Sequence, residues 1–225
     1  VGGDYDVILK PQTCDATLDL RSVKICKVVK MNSIPLTPEE KKDTLTWAMN
    51  NWVEGMMKAT GGYVTVWDVV NEAISGGGDD GEGFYVLQSA SNVSENDAQN
   101  NFYWQDYLGN EDYARIAVAA ARKYYAENGG TAPLKLFIND YNLESDWDDN
   151  KKAKSLVHWI KKWEADGVTQ IDGIGTQMHV SCYANAATQK SKEEHVVQMF
   201  EILAASGKLV KISELDMGYI DENGT

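Results

Sequence analysis

From residue 37 onward, short apolar segments alternate with amphipathic helical segments, and this alternation constrains the fold more than any other feature. The apolar segments are rich in β-branched residues and lie at residues 64–70, 134–138, 171–175 and 209–213. Each has the length and composition of a buried strand. Because helical segments separate them, right-handed crossovers place the strands side by side in a parallel sheet. The sequence therefore predicts an α/β fold.

Every predicted strand runs into polar residues at its carboxyl end. These are Asn71 with Glu72, Asn139 with Asp140, Gln177 with His179, and Glu214 with Asp216. Burying a carboxylate is costly unless a partner or a reaction requires it. An open doubly wound sheet and a (β/α)8 TIM barrel both fit the order of elements. No glycine-rich phosphate-binding turn follows a strand, and a ring of polar residues at strand ends favours the barrel.

Helix-start signals indicate where the predicted helices begin. The predicted starts are a capping box of Thr37 and Glu40, the caps Asn110 and Asn150, and a second capping box of Ser191 and Glu194. Trp52, Trp159 and Trp163 occur at helical spacing and are predicted to lie in the core. Residues 75–109 are rich in Gly, Asp, Asn and Ser, which predicts a long loop. Because this loop follows Glu72 directly, we expect it to lie over the functional face.

Residues 1–34 differ from the rest of the chain, because they contain short β-prone runs and no helical pattern. We interpret residues 1–34 as a β-rich segment that ends a domain begun upstream, and residues 35–225 as the α/β unit. Cys14 and Cys26 fit either a disulfide in a hairpin or two free thiols. The chain begins at Val1 without a signal peptide, so it is interpreted as a mature chain or a piece of a longer one.

Composition narrows the possible partners. The 34 acidic residues against 21 basic ones give a net charge of −13, which disfavours binding to nucleic acid or anionic membranes. No stretch is apolar for long enough to span a membrane. The three cysteines have no metal-ligand spacing, so neither a metal site nor a cofactor is predicted.

Four motifs in order resemble the endo-β-1,4-xylanases of glycoside hydrolase family 10. Residues 67–72 (WDVVNE) are similar to the fourth strand of that family, and residues 137–142 (FINDYN) to the fifth. Residues 173–179 (GIGTQMH) and 212–216 (ISELD) are similar to the sixth and seventh. The resemblance covers roughly residues 37–225, and it implies that the chain holds strands four to seven of an incomplete (β/α)8 barrel.

The resemblance implies a retaining glycosidase that hydrolyses internal β-1,4 bonds of xylan. Glu72 is then the general acid/base and Glu214 the nucleophile. Independently of the family, two glutamates that each close an apolar strand supply what such a reaction needs. One carboxyl must be protonated and the other ionised, about 5–5.5 Å apart. No cofactor is required.

Further residues receive roles from the resemblance alone. Asn71 is expected to bind the sugar 2-hydroxyl, Gln177 and His179 to orient Glu214 and the reacting sugar, and Tyr141 to line the aglycone side. Asp216 is expected to tune His179. Taken singly, Asn71 and Asn139 also fit turn residues, His179 fits a structural histidine, and Glu72 fits a surface ion pair.

The resemblance also implies what accompanies this chain. Strands one to three and eight are expected from the parent protein, and residues 1–34 resemble the end of a carbohydrate-binding module inserted in the barrel, as in Bacteroidetes enzymes. Xylan and xylooligosaccharides are the expected partners, and a secreted or cell-surface protein is expected. The alternatives are a related barrel β-glycanase and a carbohydrate-binding segment that is catalytically incomplete.

Overall fold

The computed structural model describes Ser22 and residues 34–224. The interpretation of residues 1–34 and the choice between disulfide and thiols for Cys14 and Cys26 therefore lie outside the described residues. Residues 36–225 form one compact unit of the chain. Among the helices that the structure describes, none combines the length and apolarity needed to cross a bilayer.

Helices and strands alternate along this unit. The helices are α1 (Pro38–Thr60), α2 (Glu95–Asn100), α3 (Gln105–Leu108), α4 (Asp112–Glu127), α5 (Lys151–Glu164) and α6 (Ala186–Ala205), and the strands are β1 (Val66–Asn71), β2 (Lys135–Tyr141), β3 (Gly173–Tyr183) and β4 (Leu209–Ile220). The strands form one sheet in the order β1-β2-β3-β4, and all three pairings are parallel. The predicted parallel sheet is confirmed.

The outer face of the sheet packs against the helices and forms the core. Leu136, Ile138 and Ile174 on this face are fully buried, as are Trp163 of α5 and Leu203 of α6. Burying an aliphatic side chain of this size contributes roughly 1.5–3 kcal/mol relative to leaving it exposed. Side chains alternate between the faces of a strand, so the residues between these apolar ones point to the inner face.

The inner face of the sheet is concave. Lys211 Nζ of β4 lies 2.9 Å from Asp68 Oδ1 of β1, although these strands are the two edges of the sheet. A flat four-stranded sheet holds its edge strands roughly 14 Å apart, at about 4.8 Å per strand. The ion pair therefore requires the sheet to curl, as in the wall of a barrel.

Two glycines of β3 leave space on this concave face. A Cβ atom on Gly173 would collide with the ring of Phe137, and one on Gly175 would collide with the side-chain amide of Asn139. Both neighbours belong to β2, which pairs with β3 in the same register. The glycines therefore allow the larger β2 side chains to cross over β3 toward β4.

The predicted helix starts are partly confirmed. Thr37 Oγ1 accepts the N–H of Glu40 at 3.2 Å, and Glu40 Oε2 accepts the N–H of Thr37 at 2.9 Å, so this capping box is present. Asn150 occupies the cap position of α5, although its side chain makes no capping hydrogen bond. The cap assigned to Asn110 was wrong, because the cap residue of α4 is Glu111.

The second predicted capping box was also wrong. The cap of α6 is Asn185, whose side chain accepts the N–H groups of Ala187 and Thr188. Ser191 and Glu194 therefore lie inside this helix. Their spacing matches a capping box, but Asn185 upstream already satisfies the first free N–H groups of the helix.

The predicted burial of tryptophans is confirmed for two of three. Trp159 and Trp163 are buried in the core, whereas Trp52 is 70% exposed. Trp52 lines an open cavity with Val69 and Phe102, beside the edge strand β1. Among the described residues no further strand lies beyond β1, so this side of α1 remains uncovered.

The long segment after β1 is more ordered than predicted, because it contains α2, α3 and an isolated bridge between Ile74 and Leu87. A turn at residues 80–84 of this segment is bound to helix α5 through Asp80. The Asp80 carboxylate accepts N–H groups of Glu82 and Phe84 and contacts His158 at 2.9 Å and Lys162 at 3.0 Å. Burial alone raises the pKa of Asp80, but these hydrogen bonds outweigh it and hold the pKa well below the usual range.

We expect Asp80→Asn to lower the free energy of unfolding at pH 7 by about 1–3 kcal/mol, because the amide cannot replace the contacts of a carboxylate with Lys162 and His158. A depressed pKa stabilises the folded state above the unfolded value of about 3.9, and this contribution is lost as pH falls below it. Urea unfolding from pH 7 to pH 3 should therefore show a weaker pH dependence in the variant.

The matched control is Asp79→Asn, since the exposed Asp79 carboxylate accepts backbone N–H groups of Gly81 and Gly83. The control should retain the pH dependence of the parent chain. Equal effects of the two substitutions would contradict the role given to Asp80.

Candidate active site

Glu72 follows the last residue of β1 in an unusual backbone conformation. Its φ of 54° lies in the left-handed region, which non-glycine residues adopt only when their surroundings compensate for the strain. The N–H of Glu72 donates to the Asn139 carbonyl at 2.7 Å, and Gln88 Nε2 donates to the Glu72 carbonyl at 2.7 Å. These contacts fix the direction of the Glu72 side chain.

The Glu72 carboxylate is held by two amides. Gln177 Nε2 donates to Glu72 Oε1 at 2.9 Å, and Asn71 Nδ2 lies 3.3 Å from the same oxygen. Gln177 Nε2 also lies 3.2 Å from Asn71 Oδ1. The buried Gln177 therefore joins β3 to the end of β1, and its side-chain amide fixes the direction of the Glu72 carboxyl group.

Asn139 links this cluster to β4. Asn139 Nδ2 donates to Asn71 Oδ1 at 2.9 Å, and Asn139 Oδ1 accepts a hydrogen bond from Ser213 Oγ at 2.5 Å. Ser213 is the extra residue of a β-bulge, because Ile212 pairs with Thr176 and Glu214 pairs with Gln177. Bulges re-aim the side chains beside them, and this one places Glu214 on the inner face together with Ser213.

Glu214 is held by a histidine bridge on the same face. His179 Nε2 lies 3.1 Å from Glu214 Oε2, and His179 Nδ1 lies 2.6 Å from Asp216 Oδ2. The hydrogen bond to Asp216 is the main reason that the pKa of His179 is raised, and Glu214 adds to the effect. A protonated imidazole donates from both nitrogens, so it can serve both carboxylates at once.

The side chains of Tyr141 and Asp140 point to opposite faces of β2. Asp140 is buried among the helices, where its Oδ1 lies 2.8 Å from Lys152 Nζ and its Oδ2 accepts the N–H of Ile74. Burial raises the pKa of Asp140, although Lys152 opposes the shift. Burial also raises the pKa of Tyr141, and the nearby charges of Asp140 and Glu72 add to it. Asp140 therefore has a structural role, whereas Tyr141 lies within electrostatic range of Glu72.

The predicted site residues thus meet on one concave surface, with two differences. First, β3 and β4 do not end at the polar residues: they remain paired up to Tyr183 and Ile220, so His179 and Glu214 lie within the strands. Second, the Gln177 side chain contacts Glu72 rather than Glu214, although its backbone pairs with Glu214.

Ser213 and Gly175 are functional neighbours that the sequence did not single out. For Gly175, the only indication in the sequence is its position, because alternation along β3 places it on the same face as Gln177. The bulge at Ser213 breaks that alternation in β4, and a bulge has no reliable mark in a single strand sequence.

A second acidic group lies away from this surface. Ligand atoms of Asp80, Glu82 and His158 lie within 4.8 Å of one another, a separation compatible with a metal ion. Lys162 Nζ already contacts Asp80 at 3.0 Å and Glu82 at 2.8 Å. This ammonium supplies the positive charge that a metal would bring, so the group acts as an ion-pair cluster.

Chemically, the surface presents two carboxyls on different strands of a curved parallel sheet, each oriented by a neutral or cationic donor. Such an arrangement is typical of glycoside hydrolases built on a (β/α)8 barrel. The model of glycosyl hydrolase family 10 matches residues 28–223, and the chain belongs to this family. The prediction of an incomplete (β/α)8 barrel is thereby confirmed.

Individual relatives agree with the family. Endo-1,4-beta-xylanase C of Paenibacillus barcinonensis is 30% identical over 189 residues, covering 81% of this chain and 14% of that protein. A solved structure of GH10 from Paenibacillus barcinonensis has a TM-score of 0.58 and 30% identity, covering 78% of this chain and 43% of that one. TsXylA, an intracellular xylanase from Thermoanaerobacterium saccharolyticum, was solved as a mutant complex with xylotriose. It has a TM-score of 0.53 and 27% identity, covering 81% of this chain and 46% of that one. The chain thus spans less than half the length of these relatives.

We expect Gly175→Ala to destabilise the chain by about 1–3 kcal/mol, because the added methyl group displaces the Asn139 amide and breaks its contacts with Asn71 and Ser213. Urea unfolding measures the loss. Gly77→Ala is the matched control, since a Cβ at Gly77 would meet no atom within 4 Å. Equal stability of the two variants would refute the packing role of Gly175.

We expect the NMR titration of His179 to have a midpoint above the usual value of about 6.5. Asp216→Asn should lower the midpoint, because it removes the main charge that stabilises the imidazolium. The control is Asp149→Asn, whose carboxylate lies 3.8 Å from a different histidine, His195. A His179 midpoint unchanged by Asp216→Asn, or shifted equally by Asp149→Asn, would show that Asp216 does not set this pKa.

Proposed function

We propose that this chain is the part of a retaining endo-β-1,4-xylanase that carries both catalytic carboxyls. The observation that carries the proposal is the hydrogen-bond network of the concave face, in which Asn139 joins the strand of Glu72 to the strand of Glu214. Membership of family 10, the endo-1,4-beta-xylanase relative and the xylotriose complex of a structural neighbour support xylan as the substrate.

In the proposed reaction, Glu214 attacks the anomeric carbon while Glu72 donates its proton to the departing glycosidic oxygen. A covalent glycosyl ester on Glu214 results. Glu72, now ionised, removes a proton from water, which attacks the same carbon and releases Glu214. Two displacements restore the original configuration at the anomeric carbon.

The surrounding residues receive positioning roles. Gln177 holds the Glu72 carboxyl group, and His179 holds the Glu214 carboxylate, so each group has a fixed direction before substrate arrives. Asn71 is exposed, and we propose that it binds the 2-hydroxyl of the reacting sugar. Tyr141 is proposed to line the aglycone side next to Glu72.

The same proposal extends to the surroundings of the chain. Leu215, Met217 and Tyr219 of the edge strand β4 are 64–66% exposed, and unpaired edges with apolar side chains favour association. We propose that further barrel strands of the same protein cover β1 and β4.

We also propose that the protein is secreted or at the cell surface, because xylan is a polymer too large to enter cells. Detection of the protein in culture supernatant would test this localisation.

The first test is release of reducing sugar from xylan by the protein that contains this chain. Glu214→Ala and Glu72→Ala should each lower kcat at least about a thousandfold, because each removes one of the two groups that form or break bonds. Glu54→Ala, at an exposed glutamate of α1, is the control and should retain full activity. Loss of activity in the control, or its survival in both site variants, would contradict the assignment.

A second measurement distinguishes the roles of the two carboxyl groups. With an aryl β-xylobioside, whose leaving group needs no proton, Glu72→Ala should still form the glycosyl ester. Azide should then displace Glu214 and yield the β-azide. Glu214→Ala has no ester to displace, so azide should attack directly and yield the α-azide. The opposite stereochemistry would reverse the roles, and preferential cleavage of β-glucan over xylan would favour a related β-glycanase.

A further inference from the structure

A lysine is buried behind the concave surface that bears Glu72. Lys152 lies in the first turn of α5, and its side chain is only 4% exposed. Its Nζ lies 2.8 Å from Asp140 Oδ1, and the Asp140 side chain is fully buried. Lysine and aspartate side chains are almost never buried to this extent unless they are paired. The pair therefore requires an explanation beyond the ordinary packing of α5 on the sheet.

Stability alone does not account for this ion pair. Removing both charges from water has a large free-energy cost, and well-packed apolar residues at the same place are often equally stable or more stable. A buried pair of charges can instead fix one arrangement of the groups around it, because other arrangements leave a charge without its partner. The groups that contact Lys152 and Asp140 then indicate what the pair holds in place.

The ammonium of Lys152 contacts the aromatic ring of Tyr141. Lys152 Nζ lies 3.4 Å from the ring centroid. A cation–π contact acts out to about 6 Å and is strongest when it is shielded from water. The cation covers one face of the ring, so a ligand can contact only the opposite face, the edge or the hydroxyl group. Lys152 therefore fixes the tilt of Tyr141, whose ring lies within electrostatic range of Glu72.

The Asp140 carboxylate holds the backbone that follows Glu72. Its Oδ2 accepts the N–H of Ile74 at 3.0 Å, and its Oδ1 accepts the N–H of Tyr141 at 2.9 Å. Ile74 lies two residues after Glu72, which has a left-handed φ of 54°. A strained conformation of this kind persists only when its surroundings over-determine it. Asp140 supplies one of these constraints, on the carboxyl-terminal side of Glu72.

We propose that Lys152 is a positioning residue for the site: together with Asp140 it holds the Tyr141 ring and the backbone after Glu72 in one relative orientation. Lys152 itself touches no substrate. It acts through Tyr141, which borders the departing part of the sugar chain, and through Glu72, which protonates the glycosidic oxygen. The inference rests on the proposed function for these two roles. Its geometry rests on the buried ion pair and on the contact between the ammonium and the ring.

The first test compares two substrates of the protein that contains this chain. Lys152→Met keeps the length of the side chain and removes its charge. It should lower kcat/KM for xylohexaose about tenfold, because departure of a sugar needs a well-placed proton donor. With the aryl β-xylobioside, whose leaving group needs no proton, kcat/KM should change by less than about twofold. A loss of folded protein would instead lower both values equally.

Lys154→Met is the matched control. Lys154 lies in the same helix, and its Nζ pairs with Asp149 Oδ2 at 2.7 Å where both side chains are partly exposed. Both kcat/KM values should equal those of the unmodified protein. A selective loss on xylohexaose in the control, or equal losses on both substrates in Lys152→Met, would overturn the inference.

A double variant separates positioning from stability. Lys152→Met alone leaves Asp140 buried without its cation, which should lower the urea midpoint of unfolding. Adding Asp140→Asn removes the second charge, while the amide oxygen still accepts an N–H group, so the midpoint should recover. The kcat/KM for xylohexaose should stay low, because the cation over Tyr141 is still missing. Recovery of this rate together with the midpoint would show that Lys152 only stabilises the fold.

A measurement without turnover distinguishes this inference from the proposed function. In protein labelled with carbon-13 tyrosine, Lys152→Met should shift the NMR signals of the Tyr141 ring, assigned through Tyr141→Phe. The signals of Tyr124, whose ring contacts a different cation, Lys123, should not move. Unshifted Tyr141 signals would overturn the inference. Shifted signals in a protein that releases no sugar in its unmodified form would leave the role of Lys152 standing and defeat the proposed function.

Discussion

The side-chain amide of Asn139 is the contact on which the geometry of the concave surface that bears Glu72 and Glu214 depends. It is nearly fully buried, and it uses its donor for Asn71 and its acceptor for Ser213. A buried amide is stable only when its polar atoms are satisfied. Asn139 therefore fixes the lateral spacing of the strands that bear Glu72 and Glu214, and Gly175 supplies the space that this crossing requires.

Irregular backbone is concentrated at the same place. Glu72 has a left-handed φ, a bulge at Val69 precedes it in β1, and a bulge at Ser213 precedes Glu214 in β4. Conformations of this kind persist only where the surroundings over-determine them. Both carboxyls are thus oriented by local distortions, while the core behind them keeps regular helices and strands. The packed core and the two glutamates therefore lie on opposite faces of one sheet.

The sequence predicted the architecture well because its strongest signals are periodic. Alternating apolar segments gave the parallel sheet, and polar residues such as Asn71 and Gln177 marked one face of it. The errors arose where the outcome depends on a distant partner. The ends of β3 and β4 are set by their mutual hydrogen bonds, which neither strand encodes alone.

Local motifs misled for a related reason. The spacing of Ser191 and Glu194 fits a helix start, yet Asn185 upstream had already begun the helix. Trp52 has core periodicity, but burial needs a neighbouring element, and the described residues provide none beyond β1. The network through Asn139 was beyond prediction as well, because it depends on which side chains meet after the sheet has curled.

The attachment of the segment after β1 has a consequence for access to Glu72. Its turn is tied to α5 through Asp80, and Tyr85 is held there as well, since its N–H donates to Ser155 and its carbonyl accepts Trp159 Nε1. A segment bound at several points to a core helix moves with that helix and not as a hinged flap. The carboxyl of Glu72 therefore lies beside a segment that is fixed to the core, and access to this carboxyl does not depend on the opening of a hinged flap.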